Sequence, residues 1–310
     1  MSTLGKVEIE VATSGPRLPP ELERVIFETA ASEWPPMIPT TMLVAWRVKH
    51  WIEPLLYRLV HVSSALTQRR IFPVVPVDVL LKAIENQQSS LLEAVEYLFL
   101  QDIPASHSSM ILGTIFSACP RITHLFSMVP LRSNLYTLSS IDCLRHLAFD
   151  ALAPLSAEHF DFTHPLFRNV THLQLLQRGY GGTSRYSSLS AIPNLTHIAF
   201  NSATLAVRLR TLLETLPRLQ CIVVLSAIQT WDRARDLHRL EPQAASDERF
   251  VHIEQNDFHA DWYNSAMGGS NFWDLAEEFL AVRRAGKVPR SMYSISDTDM
   301  RLPRSQTSNI

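Results

Sequence analysis

The sequence predicts an α/β protein in which short parallel strands stack side by side and helices return the chain between them. The first observation is a repeated pattern, an apolar anchor with apolar residues three and five positions later, clearest at Leu195, Ile198 and Phe200. The other anchors are Val95, Ile122, Leu144, Val170 and Leu219. The second observation is their period, because successive anchors lie 22 to 27 residues apart. Alternating apolar positions on stacked strands would bury a core that no single copy could form.

The period and the spacing together resemble those of leucine-rich repeats. Two departures are visible: the copy at Ile122 has Ser127 as its third position, and the Asn or Cys that usually closes the strand is absent from every copy. We therefore predict a leucine-rich-repeat-like solenoid with parallel strands over residues 63–253, built from five or six units with irregular outer turns.

Composition and charge narrow the classes of function. The chain has 310 residues, 46% of them hydrophobic and 19% charged, as in globular proteins with a large core. A formal net charge of −2 argues against nucleic-acid binding, which requires clustered positive charge. Three cysteines without close spacing indicate neither a disulfide framework nor a zinc site. No apolar run near the N-terminus predicts a signal peptide and no stretch predicts a membrane span, so we expect a cytoplasmic or nuclear location.

Two helices are predicted before the repeats. Residues 1–15 are interpreted as a flexible tail, and a helix follows from Arg17 to Ala31, with prolines in its first turn, where no amide donor is lost. One face of this helix carries Leu22, Val25, Ile26 and Thr29. A second helix opens at Pro39, and its apolar stripe comprises Leu43, Val44, Val48, Trp51 and Ile52. A strand-like alternation follows from Leu56 to Val62.

Residues 16–62 resemble an F-box. The resemblance rests on the run from Leu18 to Leu22 (Leu-Pro-Pro-Glu-Leu) with Ile26-Phe27, on Leu43-Val44 and Val48 before Trp51, and on the run from Pro54 to Tyr57. Together with the repeats behind it, this arrangement is similar to the repeat-bearing F-box-like proteins abundant in fungal genomes. The proline-rich linker from Glu33 to Pro36 and the pair Ala45-Trp46 depart from the usual pattern.

The resemblance implies a function. In that family the F-box docks on the Skp-type adaptor of a cullin-RING ubiquitin ligase, and the repeats hold the target protein. The residues expected at or under the adaptor interface are Leu18, Pro19, Leu22, Ile26, Leu43, Val44 and Val48. The alternative is that they form only a helical cap on the repeats, as repeat proteins require.

Helical segments are expected between the strands and after them. They are predicted within residues 62–88, near Asp78, and over Ser108–Ala118, Ser156–Phe167 and Thr204–Leu216, whereas residues 229–248 are predicted to be an exposed helix or an irregular excursion. Phe250 to Ile253 is expected to add a terminal strand. Within residues 254–286, a helix with Ser270 or Asn271 as N-cap, arginines late and Gly286 as its stop is expected to cover the open end of the solenoid. Residues 287–310 are interpreted as a flexible tail.

A histidine occurs two residues after the anchor in four consecutive copies, at His124, His146, His172 and His197. The anchor and the two later apolar positions of each copy point inward, so the histidines are expected to form an exposed row on the strand face. This row is the expected target-binding surface. We expect pKa values below that of free histidine, since neighbouring charged rings would repel. A metal or catalytic array is disfavoured, because a straight row does not surround an ion.

No other motif predicts chemistry. The run from His159 to His164, with Asp161, puts its histidines on different helix faces, and the glycine-rich loop at residues 179–184 lacks the Lys of a phosphate-binding loop. We therefore predict no catalytic residue, no metal and no cofactor. The first hypothesis is a non-enzymatic F-box subunit that recognises a ligase substrate. The second is an interaction protein without adaptor docking, and a hydrolase or metal enzyme would need a polar pocket that no motif reveals.

Overall fold

The computed structural model describes residues 18–64, 74–86, 89–104, 108–150, 161–176, 188–201, 213–227, 247–255 and 257–296. The chain divides into two compact units, Met1–Leu56 and Tyr57–Ile310. The first strand belongs to the second unit, so the boundary lies a few residues before the predicted one at residue 62. None of the described helices combines the length and apolar character needed to cross a membrane.

The N-terminal unit is helical. Its helices are α1 (Pro20–Glu33), α2 (Ile38–Thr41) and α3 (Trp46–Ile52), with 3-10 turns at Pro35–Met37 and Glu53–Tyr57. Pro20 occupies the first turn of α1, where its missing amide hydrogen costs nothing. The buried core of the unit consists of Ala31, Ile38, Val48 and Ile52. The second helix predicted from Pro39 is split into α2 and α3, and Leu43 and Val44 lie in the turn between them.

The second unit is built on parallel strands. In chain order these are β1 (Leu59–Ser63), β2 (Tyr97–Gln101), β3 (His124–Ser127), β4 (His146–Asp150), β5 (His172–Leu176), β6 (His197–Phe200), β7 (Cys221–Ala227), β8 (Phe250–Gln255) and β9 (Ser294–Ser296). Within the described part of the chain they form one nine-stranded sheet in sequence order, each strand parallel to the next. The predicted parallel strands are confirmed, and β1, β8 and β9 extend the sheet beyond the six copies of the pattern.

The register of the sheet agrees with the predicted repeat. Leu147 pairs with Leu173, and Leu173 pairs with Ile198. All three side chains are at most 2% exposed and belong to the large hydrophobic core on one face of the sheet, which we call the core face. The histidine positions alternate with these and lie on the opposite face, the ring face.

Helices connect the strands on the core-face side. The described ones are α4 (Val77–Glu85), α5 (Ser89–Leu92), α6 (Ser108–Ala118) and α7 (Leu135–Leu138). The helix predicted at Ser108–Ala118 is confirmed at both ends, whereas Pro165–Asn169 is a 3-10 turn where a longer helix was predicted. Residues 151–160, 177–187, 202–212 and 228–246 lie outside the described residues, and so do parts of the predicted segments Ser156–Phe167, Thr204–Leu216 and 229–248 and the loop at 179–184. The predicted tail at 1–15 and residues 297–310 also lie outside them.

Two helices separate β8 from β9, namely α8 (Phe258–Ala266) and α9 (Phe272–Arg284). Asn271 caps α9 in a capping box with Asp274, and Gly286 follows the helix with φ +71°, as its sequence predicts. The position of α9 differs from the prediction. It packs on the ring face against residues of β7 and β8, among them Val223 and Val251, and the sheet continues past it into β9. Strand β9 lies where residues 287–310 were predicted to be a flexible tail, so that prediction is wrong for its described part.

Candidate functional site

Five aromatic rings stack along the ring face. They are Tyr97, His124, His146, His172 and His197, one from each of the strands β2 to β6, and we call them the ring stack. Successive ring centroids are 4.0 to 4.1 Å apart with interplanar angles of 10 to 19°. The predicted histidine row exists, and Tyr97 extends it because it occupies the same place after the anchor Val95. Cys221 holds that place on β7.

Threonine hydroxyls fix one nitrogen of three rings. Nδ1 of His124 lies 2.8 Å from the hydroxyl of Thr123, and His172 and His197 make the same contact, at 2.9 and 2.8 Å, with the threonine that precedes each. Each contact fixes the orientation of its ring. Nε2 is then the nitrogen available for hydrogen bonds with groups on the ring face. A Thr-His pair in three of the four copies is a sequence signal for this arrangement.

Helix α9 covers one end of the ring stack. The indole of Trp273 meets His172 and His197 edge to face, with centroids 5.2 and 5.8 Å apart. Glu277 Oε1 lies 2.9 Å from Nε2 of His197, which is only 4% exposed. The expectation of an exposed row is therefore wrong for His197, and the other three histidines are half-buried. No signal within the repeats indicates this cover.

Helix α8 covers the other end. The indole of Trp262 meets Tyr97 and Phe99 nearly perpendicularly, at 5.9 and 5.2 Å. Between the two tryptophans a small cavity of ≈ 40 Å³ remains over His124, His146 and His172. A space of this size suits a few water molecules and not a sizeable ligand.

Burial keeps the stacked histidines neutral. It lowers the pKa of His124 and of His172 to about 2 and that of His146 to about 4, and neighbouring rings lower each of these pKa values further. Burial also lowers the pKa of His197, although Glu277 opposes the shift. The direction agrees with the sequence-based expectation, but loss of hydration contributes more than repulsion between rings. A neutral His197 donates its Nε2 hydrogen to Glu277 and accepts at Nδ1 from Thr196.

One group of side chains has the composition of a metal site. Candidate ligand atoms of His172, His197 and Glu277 all lie within 4.8 Å of one another. The two rings stack at 4.1 Å and 10°, however, so their nitrogen lone pairs run nearly parallel. An ion about 2.1 Å from both nitrogens would lie far out of both ring planes. These residues therefore do not fit a metal ion without breaking the stack.

The site offers weak acid–base and nucleophilic chemistry. A histidine with a pKa of about 2 or 4 is a poor general base near neutral pH. Burial raises the pKa of the Cys221 thiol to about 12, so it remains protonated and unreactive. Within the described residues, the ring stack is better suited to packing and recognition than to catalysis.

The predicted adaptor-binding residues lie in the N-terminal unit, where six of the seven are exposed. Among them Leu22 is 53% exposed, Ile26 54% and Leu43 85%, while Leu18, Pro19 and Val44 are also exposed. Val48 is fully buried and supports the surface from below. No protein-family model matches the chain, and no curated protein matches it.

Proposed function

We propose that the chain is a non-enzymatic interaction protein, an intracellular F-box-like subunit of a cullin-RING ubiquitin ligase. In this proposal the sheet unit is a leucine-rich-repeat-like solenoid that binds the target on its ring face. The N-terminal helices dock on the Skp-type adaptor, and catalysis belongs to the partners. The observation that carries the proposal is the apolar surface of the N-terminal helices.

That surface is unusual for a solvated helical unit. Leu22, Val25 and Ile26 on one face of α1 are each more than half exposed, and Leu43 and Val44 add to the apolar set. The core of the unit uses other residues, so these side chains contribute little to its folding. Large exposed apolar patches on soluble proteins mark interaction sites, and the F-box resemblance assigns all of these residues except Val25 to the adaptor interface.

Trp46 extends the surface beyond the expected set. Its side chain is 79% exposed, two residues after Val44 in the chain, and Lys49 Nζ lies 5.2 Å from the ring centroid. Lys49 is in turn within 3.6 Å of Glu53. Tryptophan is enriched among residues that dominate binding energy, so a departure from the usual F-box pattern supplies an additional anchor in this proposal.

Co-purification with the Skp-type adaptor tests the proposal. Leu22→Asp and Ile26→Asp place a charge on the surface without touching the core, so each is expected to weaken adaptor binding by about tenfold or more. Val79→Asp in α4 is the matched control, because Val79 is 50% exposed and lies in the other unit. Folding of each variant is checked by circular dichroism.

The alternative function is an interaction protein that does not dock on the adaptor. A folded wild-type chain that fails to bind the adaptor would favour it. Binding that survives both α1 substitutions would place the adaptor interface elsewhere.

A further inference from the structure

Helices α8 and α9 both lie on the ring face, but they bury very different numbers of side chains. Helix α9 buries six side chains: Phe272, Trp273, Ala276, Phe279, Leu280 and Arg283. Helix α8 buries only Ala266, although Phe258 and Trp262 also face the sheet. Helix α9 is thus part of the core of the last strands, whereas α8 rests on the surface of earlier ones.

Apart from Gln101, whose side chain lies 3.4 Å from His259 of α8, the surface beneath α8 is apolar. Its apolar part consists of Phe99, Phe126, Ala148 and Leu176, contributed by β2 to β5, and we call it the apolar strip. Phe99 and Phe126 stack with centroids 4.4 Å apart, and the Phe258 ring stacks on Phe126 at 5.7 Å. The strip therefore presents aromatic faces to whatever lies on it.

Two aromatic side chains of α8, Phe258 and Trp262, pack on the strip. Phe258, Trp262 and Ala266 are four residues apart, so they share one side of the helix. An amphipathic helix with anchors at this spacing in an apolar groove is a recurrent mode of peptide recognition. The chain itself thus shows what kind of segment fits the strip.

The chain turns at Gly268 between the two helices. Gly268 has φ +78°, a conformation that glycine adopts readily, and no heavy atom lies within 4 Å of the position of an added Cβ. The Asn271 cap belongs to α9 and bonds the amides of Trp273 and Asp274. A polar contact from Asn271 Nδ2 to the Ser265 hydroxyl, 2.9 Å long, links the cap to α8.

We propose that the apolar strip is a helix-binding groove and that α8 is its displaceable occupant. The partner that it fits is a protein helix with aromatic residues at positions i and i+4 and a small residue at i+8, as in α8. This inference rests on the proposed function in that it assigns the target site to the ring face. It moves the site from the stacked histidines to the neighbouring apolar residues.

A peptide competition experiment tests the groove. The probe is a fluorescently labelled peptide of residues 257–267, and the control peptide carries Phe258→Ala and Trp262→Ala. Binding is measured by anisotropy on the wild-type full chain and on the full chain with the same two substitutions, which vacate the strip. We expect the variant chain to bind the probe at least tenfold more tightly than the wild-type chain, and the control peptide to bind neither.

Three results would overturn the proposal: a folded variant chain that does not bind the probe, equal binding by both chains, or equal binding of the two peptides. If the variant chain fails to fold, hydrogen exchange on the wild-type chain tests whether α8 can be displaced. Amides of α8 are expected to exchange at least a hundredfold faster than those of α9, and equal protection would contradict a displaceable α8. Adaptor binding depends on the N-terminal helices, so these results are independent of that test.

Discussion

His172 and Leu173 are adjacent on β5, and their side chains lie on opposite faces of the sheet. They should therefore differ in their contribution to stability. Leu173 is fully buried in the core face, so Leu173→Ala is expected to lower the free energy of unfolding by about 2 to 5 kcal/mol. His172 stacks on two rings and meets Trp273, so His172→Ala is expected to cost about 1 kcal/mol, more than an exposed position would. Urea unfolding of both variants measures this order, and a larger loss for His172→Ala would reverse the assignment of the faces.

Arg283 is a buried cation whose partners are backbone carbonyls. Its guanidinium donates to the oxygens of Asp247, Phe250 and Met292, at 2.9, 2.9 and 3.1 Å, and the residue is 3% exposed. Arg283→Met leaves these carbonyls without that donor, so we expect a loss of about 3 kcal/mol in the free energy of unfolding. Arg284→Met is the control, because Arg284 is exposed, and should change stability by less than about 1 kcal/mol. Equal losses in thermal or urea melts would contradict this role of Arg283.

The cap of α9 was predictable because its signals are local. Asn271 accepts from the amides of Trp273 and Asp274, and the Asp274 carboxylate accepts from the Asn271 amide. Asn271→Ala is expected to lower the free energy of unfolding by about 1 kcal/mol. Ser270→Ala, at the other candidate N-cap, should be nearly neutral. A larger effect at Ser270 in chemical denaturation would assign the cap to that residue.

The surroundings of the helices could not be predicted in the same way. The periodicity of α1 identifies an apolar face, but period alone does not say whether another element covers that face, and in the structure it is exposed. Helix α9 was expected at the end of the sheet because its apolar side needs a cover. It instead packs beside Val223 and Val251, a contact that no pattern within ten or twenty residues specifies.

Across the whole sheet, the features that the repeat period sets could be predicted. Contacts between the repeats and segments outside them could not. Stacking of identical strand positions follows from the spacing of the anchors, so the register of Leu147, Leu173 and Ile198 and the histidine row could be derived. The cover over that row comes from Trp262 and Trp273, far along the chain from β2 to β5. Long-range contacts of this kind leave no local signal, and they changed the expected exposed surface into a half-buried one.

Neutral buried histidines should make the sheet unit sensitive to acid. The pKa is about 2 for His124 and His172, and about 4 for His146 and for His252, which lies between the hydroxyls of Ser226 and Ser294. The unfolded chain binds protons below its ordinary histidine pKa near 6.5 while the folded chain does not. The contribution of these histidines to stability is therefore fully present above pH 6.5 and falls as the pH drops toward 4. Each such group contributes about 1 kcal/mol per pH unit, so a fall in the free energy of unfolding is expected between pH 6.5 and pH 5.5.

Urea unfolding at pH 7.5, 6.5 and 5.5 measures this dependence. Removing one of the groups with His146→Gln should reduce the fall in unfolding free energy by about 1 kcal/mol per pH unit below pH 6.5, even if the variant is less stable at pH 7.5. His50→Gln, at an exposed position of α3, is the control and should reduce the fall less than His146→Gln does. A wild-type chain equally stable at pH 7.5 and 5.5 would mean that the stacked rings are accessible to protons in the folded state, and the cover by α8 and α9 would then have to open without unfolding the sheet.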